Sequence, residues 1–232
     1  DNCPIVPNSG QVDGDGDLIG DACDTELEGE ALCATGSSET NALKGNLFFI
    51  IDSSGSMDSG SRRATWNSAV DSIKDDLVAN FNVGVSHFPG REDDDDCSLQ
   101  PVLQEGMAAG MAASTFDSAA DLSNSETTGG TPTPAALAGV INDGNRDGIP
   151  DNNDPHLYEL PGDTAVGRGK AVVLVTDGLP TWCPGNGSST GSTEREETYR
   201  MAAAVAAQGV RVYTLGFTSV SEDVMARLAY AG

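Results

Sequence analysis

The chain has 232 residues, of which 36 are acidic and 12 basic, so its formal net charge is −24 at pH 7. A chain this acidic argues against nucleic acid or an anionic membrane as a partner and favours cations. No stretch approaches the roughly 20 apolar residues of a membrane-spanning helix. Hydrophobic residues make up 38% of the chain, enough for a sizeable core, and the length suits one ordinary domain plus something smaller.

The acidic residues cluster in three stretches, 13–24, 92–96 and 143–154, which indicates discrete sites more than an even solubilising coat. Of these, residues 92–96 are interpreted as a solvated acidic loop rather than a further cation site. The chain opens in mid-motif and shows no signal peptide, so we interpret it as a piece of a longer protein.

The five cysteines show no CxxC zinc spacing. Beside acidic calcium-type motifs, disulfides formed in an oxidising compartment are the better interpretation. An odd cysteine remains, and its partner is expected outside this fragment. The cysteines are Cys3, Cys23, Cys33, Cys97 and Cys183.

Residues 1–24 carry an alternating acidic motif. Aspartates stand at positions 1, 3, 5, 9 and 12 of a 12-residue loop, the spacing by which such a loop wraps Ca²⁺, and position 7 offers its backbone carbonyl. Position 6 is Leu18 rather than glycine, position 12 is not glutamate, and no flanking helices are visible, all of which weaken an EF-hand interpretation. The predicted ligands are Asp13, Asp15, Asp17, Ile19, Asp21 and Asp24.

This stretch resembles a thrombospondin type 3 repeat. The opening Asp-Asn-Cys-Pro, the alternating aspartates and the closing Gly-Asp-Ala-Cys-Asp follow that family's pattern almost without gaps. The resemblance implies Ca²⁺ held by carboxylates, with disulfides and little hydrophobic core; the alternative is a disordered acidic linker. Residues 25–44 are predicted to be a linker, in which Cys33 is tied to Cys23 or Cys3; the sequence does not choose between them.

The strand that organises the chain is predicted at residues 47–51, which are all apolar, as in a parallel strand buried on both faces. It stops at Asp52, and a loop with Ser54 and Ser56 follows. An acid and two hydroxyls at alternating positions suit a hard cation that prefers oxygen ligands. The alternative is a serine-rich turn that caps the next helix.

The following segments alternate between helix and strand. Helical spacing predicts a helix over 62–80 whose core stripe is Trp66, Ala69, Val70, Ile73 and Leu77. A second strand is predicted at 81–88, with His87 at its end in a structural role, and a short antiparallel edge strand at 99–103. Residues 108–120 are predicted to be helical in part.

A shaped loop with two glycines and two prolines surrounds Thr131 and leads into a helix at about 133–142. Residues 142–163 are then an insert that contains a second calcium-loop spacing, with Gly148 at position 6. A structureless loop of this length is unusual in a compact domain, and a bound cation would order it. The predicted ligands are Asp143, Asn145, Asp147, Ile149, Asp151 and Asp154.

A further buried strand is predicted at 170–175 and is followed by Thr-Asp-Gly, so Asp177 arrives at the carboxyl end of a strand. Thr193 and Glu196 form a capping box that predicts a helix at about 194–208. A strand at 210–217 and a helix at 220–231 complete the chain. This alternation predicts an α/β fold, a doubly wound, mostly parallel sheet with helices on both faces.

In such a sheet the Asp52 loop, the Thr131 loop and Asp177 converge on one edge. Together they resemble the metal-ion-dependent adhesion site of von Willebrand factor type A domains, over about residues 46–232. The resemblance implies that Ser54, Ser56 and Thr131 are hydroxyl ligands of Mg²⁺ or Mn²⁺, with Asp52 and Asp177 binding directly or through water. It also implies a partner, a protein or an acidic glycan, that presents a carboxylate to the metal.

The chain departs from that family's pattern in three ways. The insert at 142–168 is not a standard part and is expected to shape the binding face. Cys97 and Cys183 both fall in loops expected near the metal face, so their bridge is the preferred pairing. The chain stops after the helix that follows the fifth major strand, where the family usually adds a strand and a helix, which predicts a domain incomplete at its C-terminus.

The sequence therefore predicts an adhesion or ligand-recognition module of a secreted or surface protein, with a bacterial envelope as the expected location. The alternative is a scaffold domain in a larger assembly, which would bind its partners without using the metal. Catalysis by Ser53, Ser54 or Ser56 would need a general base. Only His87 and His156 are present, in no recognisable triad motif, so we do not expect an enzyme.

Overall fold

The computed structural model describes residues 10, 43–58, 60–89, 105–124, 130–143, 146, 148–151, 156–162, 167–177, 180–181, 191–217 and 222–231. The chain divides into two units, Asp1–Ala42 and Leu43–Gly232. The predicted N-terminal calcium ligands, the linker to residue 42 and all five cysteines lie outside the described residues, so their predictions stay predictions. So does the edge strand at 99–103.

Strands and helices alternate along the described part of the second unit, as the sequence predicts. The strands are β1 (Gly45–Asp52), β2 (Phe81–Phe88), β3 (Glu105–Ala108), β4 (Lys170–Thr176) and β5 (Arg211–Gly216). The helices are α1 (Arg62–Asn80), α2 (Ala113–Ala120), α3 (Thr133–Val140), α4 (Gly191–Ala207) and α5 (Glu222–Ala231). None of these described helices is both long and apolar enough to cross a membrane.

The strands form one sheet in the order β3-β2-β1-β4-β5, with β1 at its centre. β1 pairs in parallel with β2 and β4, and β4 pairs in parallel with β5. β3 runs antiparallel to β2 at the edge. The predicted fold class, a doubly wound and mostly parallel sheet, is confirmed.

Strand β1 is buried on both faces because its alternate side chains enter two separate cores. Phe48 and Ile50 pack with residues of α3, α4 and α5, whereas Phe49 and Ile51 pack with residues of α1 and α2. Helices thus cover both faces of the sheet. Asp52 is the last residue of β1 and lies at the carboxyl edge of the sheet.

The core stripe of α1 is narrower than predicted. Trp66 and Val70 are buried, and the indole N–H of Trp66 donates to the Ala120 carbonyl at 2.8 Å. Ala69 and Ile73 are exposed, contrary to the prediction. α2 lies on one side of this stripe, where Asn67 and Lys74 bond to Asp121 and Asp117, whereas Ala69 and Ile73 lie on the other side of α1.

The predicted capping box of α4 is wrong. The helix begins at Gly191, so Thr193 already lies inside its first turn and is not the residue that precedes the helix. Within the helix, the Thr198 hydroxyl donates to the Glu194 carbonyl at 2.7 Å. The sequence therefore predicts the start of α4 three residues too late. Threonine occurs inside helices as well as at their caps, so its presence does not fix the first helical residue.

Candidate metal centre

Three loops meet at the carboxyl edge of the sheet. β1 and β4 are neighbours in parallel register, with Ile51 opposite Val175, so Asp52 is level with Thr176 and Asp177 comes one residue later. Thr131 lies in the loop that leads into α3. The structure thus brings together the side chains that the sequence predicts to converge.

The oxygens of this cluster form a continuous chain of hydrogen bonds. The Thr131 hydroxyl donates to Ser54 Oγ at 3.2 Å, and Ser54 Oγ lies 3.0 Å from Ser56 Oγ. The Ser56 hydroxyl in turn donates to Asp177 Oδ1 at 2.7 Å. Ser54, Thr131 and Asp177 are buried, whereas Ser56 is exposed, so the chain of oxygens reaches solvent at Ser56.

Asp52 is the buried end of the cluster, with no exposed surface. Its carboxylate accepts hydrogen bonds from the Ser54 N–H at 2.8 Å and from the Thr176 hydroxyl at 2.7 Å. Burial nevertheless raises the pKa of Asp52 from 3.8 to about 6, and the charge of Asp177 adds to this. A cation nearby would offset the cost of burying this carboxylate.

Asp177 carries the second carboxylate and is 2% exposed. Its Oδ2 accepts a 2.6 Å hydrogen bond from Nη1 of Arg62, which also donates to the Ser56 carbonyl at 2.7 Å. Sequence reasoning missed Arg62. The signal available was an arginine at the first position of a helix, where the helix dipole disfavours a cation unless an acid lies nearby.

Two threonines that sequence reasoning also missed hold the loops in place. Thr176 ends β4 and donates to Asp52 across the strand pair. Thr181 ties the Thr131 loop to the loop after β4, because its hydroxyl accepts from the Thr131 N–H and its own N–H donates to the Thr131 carbonyl at 3.0 Å. Thr176 was detectable from the register of β1 and β4, while Thr181 had no local signal.

The donor set fits a hard divalent cation. Three hydroxyls and two carboxylates supply oxygen only, which is the chemistry that Mg²⁺ and Mn²⁺ prefer in proteins. The buried carboxylate of Asp52 has no cation among its hydrogen-bond partners, Ser54 and Thr176. Both observations are properties of the chain itself, and both suit a metal at this edge.

The predicted calcium loop of the insert is described only in part, since Asn145, Asp147 and Asp154 lie outside the described residues. The first predicted ligand, Asp143, is 1% exposed, and its Oδ2 accepts a 2.7 Å hydrogen bond from the Gly148 N–H. Gly148 has a φ of +91°, which glycine adopts readily. The Ile149 side chain is exposed. The loop stays a predicted calcium site.

The described end of the insert does not lie on the metal face, contrary to expectation. The Tyr158 carbonyl accepts a 3.1 Å hydrogen bond from Asn46, near the start of β1, and Glu159 pairs with Lys170 at the start of β4. Both contacts are at the amino edge of the sheet. Helix α3 carries the chain from the carboxyl edge to the opposite one, so the segment after it begins there.

The two histidines make contacts of a structural kind. His87 is fully buried with its Nε2 2.7 Å from the Ala119 carbonyl, and burial lowers its pKa. The ring of His156 stacks on Tyr158 with centroids 5.1 Å apart. The structural role predicted for His87 agrees with these contacts.

The chain is similar in fold to a protein of known structure, although no protein-family model matches it. The manganese-loaded TRAP protein of Plasmodium vivax superposes with a TM-score of 0.50 at 17% sequence identity. The match covers 81% of this chain and 63% of the TRAP chain. The fold resembles that of TRAP. At 17% identity the similarity shows a shared fold only. The manganese was found in TRAP and is not thereby assigned to this chain.

Two bacterial structures show weaker similarity. The pilus adhesin SpaC of Lactobacillus rhamnosus GG matches with a TM-score of 0.48 and 21% identity, over 76% of this chain and 25% of SpaC. The vWF domain of the type V pili tip protein Mfa5 of Porphyromonas gingivalis matches with a TM-score of 0.45 and 12% identity, over 80% of this chain and 84% of that domain.

Among curated proteins, thrombospondin-4 of Bos taurus and of Mus musculus are each 59% identical to this chain over 32 residues. These residues are 14% of this chain and 3% of the length of either relative. The similarity is therefore local, and it agrees with the thrombospondin-like motif found in the sequence.

Proposed function

We propose that residues 45–232 form a von Willebrand factor type A domain that binds a partner's carboxylate through a divalent cation. The observation that carries the proposal is the chain of oxygens from Thr131 through Ser54 and Ser56 to Asp177, which joins three loops at one edge of the sheet. Mg²⁺ is the proposed ion and Mn²⁺ the close substitute.

The residues divide into two roles in this proposal. Ser54, Ser56 and Thr131 supply neutral oxygens, which satisfy the coordination of the ion without cancelling its charge. Asp52 and Asp177 supply the two negative charges, directly or through water, and Thr176 and Ser54 hold the Asp52 carboxylate in place. The bound ion supplies an electrophilic position that accepts an outside carboxylate.

Calcium has a separate, structural role in this proposal. The motif of residues 13–24 and the loop of residues 143–154 each bind Ca²⁺ through the ligands predicted above. Asp143 supports this for the insert, because a buried carboxylate at the first loop position already accepts the N–H of Gly148. The first motif acts as a stiff spacer. The predicted disulfides and calcium sites favour a location outside the cell, and we propose the bacterial surface.

The test uses the full 232-residue chain and two immobilised peptides that differ only in one residue, glutamate or glutamine. Surface plasmon resonance measures the binding in about 5 mM MgCl₂, which is meant to saturate the site, and in about 5 mM EDTA, which removes the ion. We expect binding only to the glutamate peptide and only with Mg²⁺.

The Asp52→Ala variant removes a proposed ligand and is expected to abolish the same signal. Glutamate-dependent binding that survives EDTA, or that is unchanged in Asp52→Ala, would contradict the adhesion proposal. Binding retained after chelation would instead favour a scaffold domain that uses no metal.

A further inference from the structure

Arg62 is the cationic residue that the structure places on the metal cluster. It opens α1, its side chain is 25% exposed, and its Nη1 donates to Asp177 Oδ2 at 2.6 Å and to the Ser56 carbonyl at 2.7 Å. Both atoms belong to residues of the proposed ion site. A guanidinium there is unexpected, because a site for a divalent cation repels a second positive charge.

The position of Arg62 in its helix adds to this. The first turn of α1 contains no acidic residue, and the positive end of the helix dipole disfavours a cation at its N-terminus. Asp177, 115 positions away in the sequence, is the carboxylate that compensates it. Its neighbour Arg63 pairs instead with Asp58, at 2.8 Å, whose side chain is 53% exposed.

The charges of the site show what Arg62 changes. Asp52 and Asp177 contribute two negative charges and Arg62 one positive charge, so the three groups sum to −1 without an ion. A divalent ion brings the sum to +1, and one incoming carboxylate makes it neutral. Without Arg62 the loaded site would already be neutral, and nothing in its net charge would favour an anion over a neutral oxygen ligand.

The donors of Arg62 also suit a second contact. Both hydrogen bonds that it makes within the described residues use Nη1, so Nε and Nη2 still carry N–H groups at the partly exposed end of the side chain. A planar guanidinium binds a carboxylate through two parallel hydrogen bonds.

We propose that Arg62 is the second element of ligand recognition: its guanidinium would bind one oxygen of the partner's carboxylate while the other oxygen faces the ion site. This inference rests on the proposed function and deepens it. It assigns the ligand class to carboxylates rather than hydroxyls or amides, and it makes Arg62 weaken the ion's own binding while strengthening the ligand's.

Opposite effects on two affinities test the inference. In the full chain, amide NMR shifts of Ser54 and Thr131 report Mg²⁺ binding, because both residues are proposed ligands; their amides donate to Asp52 and to Thr181. At saturating Mg²⁺, a blocked Gly-Glu-Gly peptide then reports ligand binding. We expect Arg62→Met to bind Mg²⁺ about fivefold more tightly, because a repelling charge is gone, and to bind the peptide about tenfold more weakly.

Two further variants serve as controls. Arg62→Lys keeps the charge but not the planar pair of donors, so its Mg²⁺ affinity stays near the wild type while its peptide affinity falls by about threefold. Arg63→Met removes the same charge from the same helix end, at a side chain that is 24% exposed, and changes neither affinity by more than about twofold.

The outcomes separate the two proposals. Unchanged peptide affinity in Arg62→Met and Arg62→Lys, with Mg²⁺ still binding, overturns the role of Arg62 and leaves the metal-dependent function intact. Equal losses in Arg62→Met and Arg63→Met also overturn it, since they reveal a general charge effect. If Ser54 and Thr131 do not shift with Mg²⁺ in the wild type, the proposed function fails and this inference with it.

Discussion

Ser56 and Asp177 are 121 positions apart in the chain, and the hydroxyl of Ser56 donates a 2.7 Å hydrogen bond to Asp177 Oδ1. The register of two central strands explains the contact, because Ile51 in β1 is paired with Val175 in β4. The loops that follow these strands therefore start side by side. The cluster exists only when the sheet is correctly formed, so ion binding and folding of the domain are linked.

The first prediction compares adjacent serines that are equally buried. Ser54 and Ser53 are each 1% exposed, but the Ser54 hydroxyl lies in the cluster, whereas the Ser53 hydroxyl donates to the Phe88 carbonyl at 3.0 Å. Ser54→Ala is expected to weaken Mg²⁺ binding by about tenfold or more, and Ser53→Ala by less than about twofold. Isothermal titration measures both; equal losses would show that Ser54 has no special role.

The second prediction concerns the stability of the metal-free domain. The folded-state pKa of Asp52, about 6, lies above the ordinary 3.8, so the folded state binds more protons between these values and its stability falls as the pH rises through 6. In EDTA at pH 7.5, Asp52→Asn should therefore be more stable than the wild type, by about 2–3 kcal/mol.

Urea unfolding at two pH values checks this sign. The advantage of Asp52→Asn should shrink near pH 4, where Asp52 is protonated in the folded wild type, and should reverse in saturating Mg²⁺, which stabilises only the carboxylate form. A variant less stable than the wild type in EDTA at pH 7.5 would contradict the account of Asp52.

The third prediction concerns the packing of the central sheet. A Cβ on Gly84 would lie 2.7 Å from Cδ2 of the Phe48 ring and 3.0 Å from the Met107 backbone nitrogen. Because both neighbours are held in the sheet, Gly84→Ala should lower the free energy of unfolding by about 1–3 kcal/mol. Chemical denaturation in the presence of Mg²⁺ measures the change.

Gly216→Ala is the matched control for that experiment. Its added Cβ would also be too close to a neighbour, but this is the Met225 terminal methyl at 2.9 Å, which can move aside. We expect a change within about 1 kcal/mol. If Gly216→Ala lowers the free energy of unfolding as much as Gly84→Ala does, the fixed position of the Phe48 ring does not explain the loss in Gly84→Ala.

The fourth prediction is a pH effect from His87. Burial lowers its pKa below the ordinary 6.5, so below pH 6.5 the unfolded chain takes up a proton that the folded chain does not. This group therefore contributes a loss of stability as the pH falls, by about 1.4 kcal/mol per unit until the folded pKa is reached.

His87→Gln keeps a nitrogen donor for the Ala119 carbonyl and removes the titration. The difference in unfolding free energy between wild type and variant should shift in favour of the variant as the pH is lowered from 7.5 to 5.5 (about one unit on either side of the ordinary pKa). A difference that is independent of pH would contradict a depressed pKa.

The sheet and the meeting of the three loops were predictable from local patterns. Apolar runs that end in Asp52 and in Thr176-Asp177 mark two parallel strands, and the carboxyl ends of parallel strands share an edge. Thr131 was predictable as the hydroxyl of a shaped loop that opens a helix. The predictions succeeded here because each depends on a few neighbouring residues and one topological rule.

The features that the sequence did not predict depend on contacts between residues far apart in the chain, which local patterns do not reveal. The contact of Arg62 with Asp177 needs the fold, and so does the exposure of Ile73, which lies on the side of α1 away from α2. The acidic residues around the insert favoured a solvent-exposed binding loop, so the sequence did not predict that the end of the insert lies at the amino edge of the sheet. Its aromatic Tyr158, 1% exposed, was the available sign that this segment packs on the core.

One measurement tests the central claim most directly: a crystal structure of the protein grown with MnCl₂, with anomalous diffraction data collected at the manganese edge. We predict an anomalous peak at the carboxyl edge of the sheet, within coordination distance of the hydroxyl oxygens of Ser54, Ser56 and Thr131. A fully formed sheet with no peak among these three hydroxyls would contradict the account.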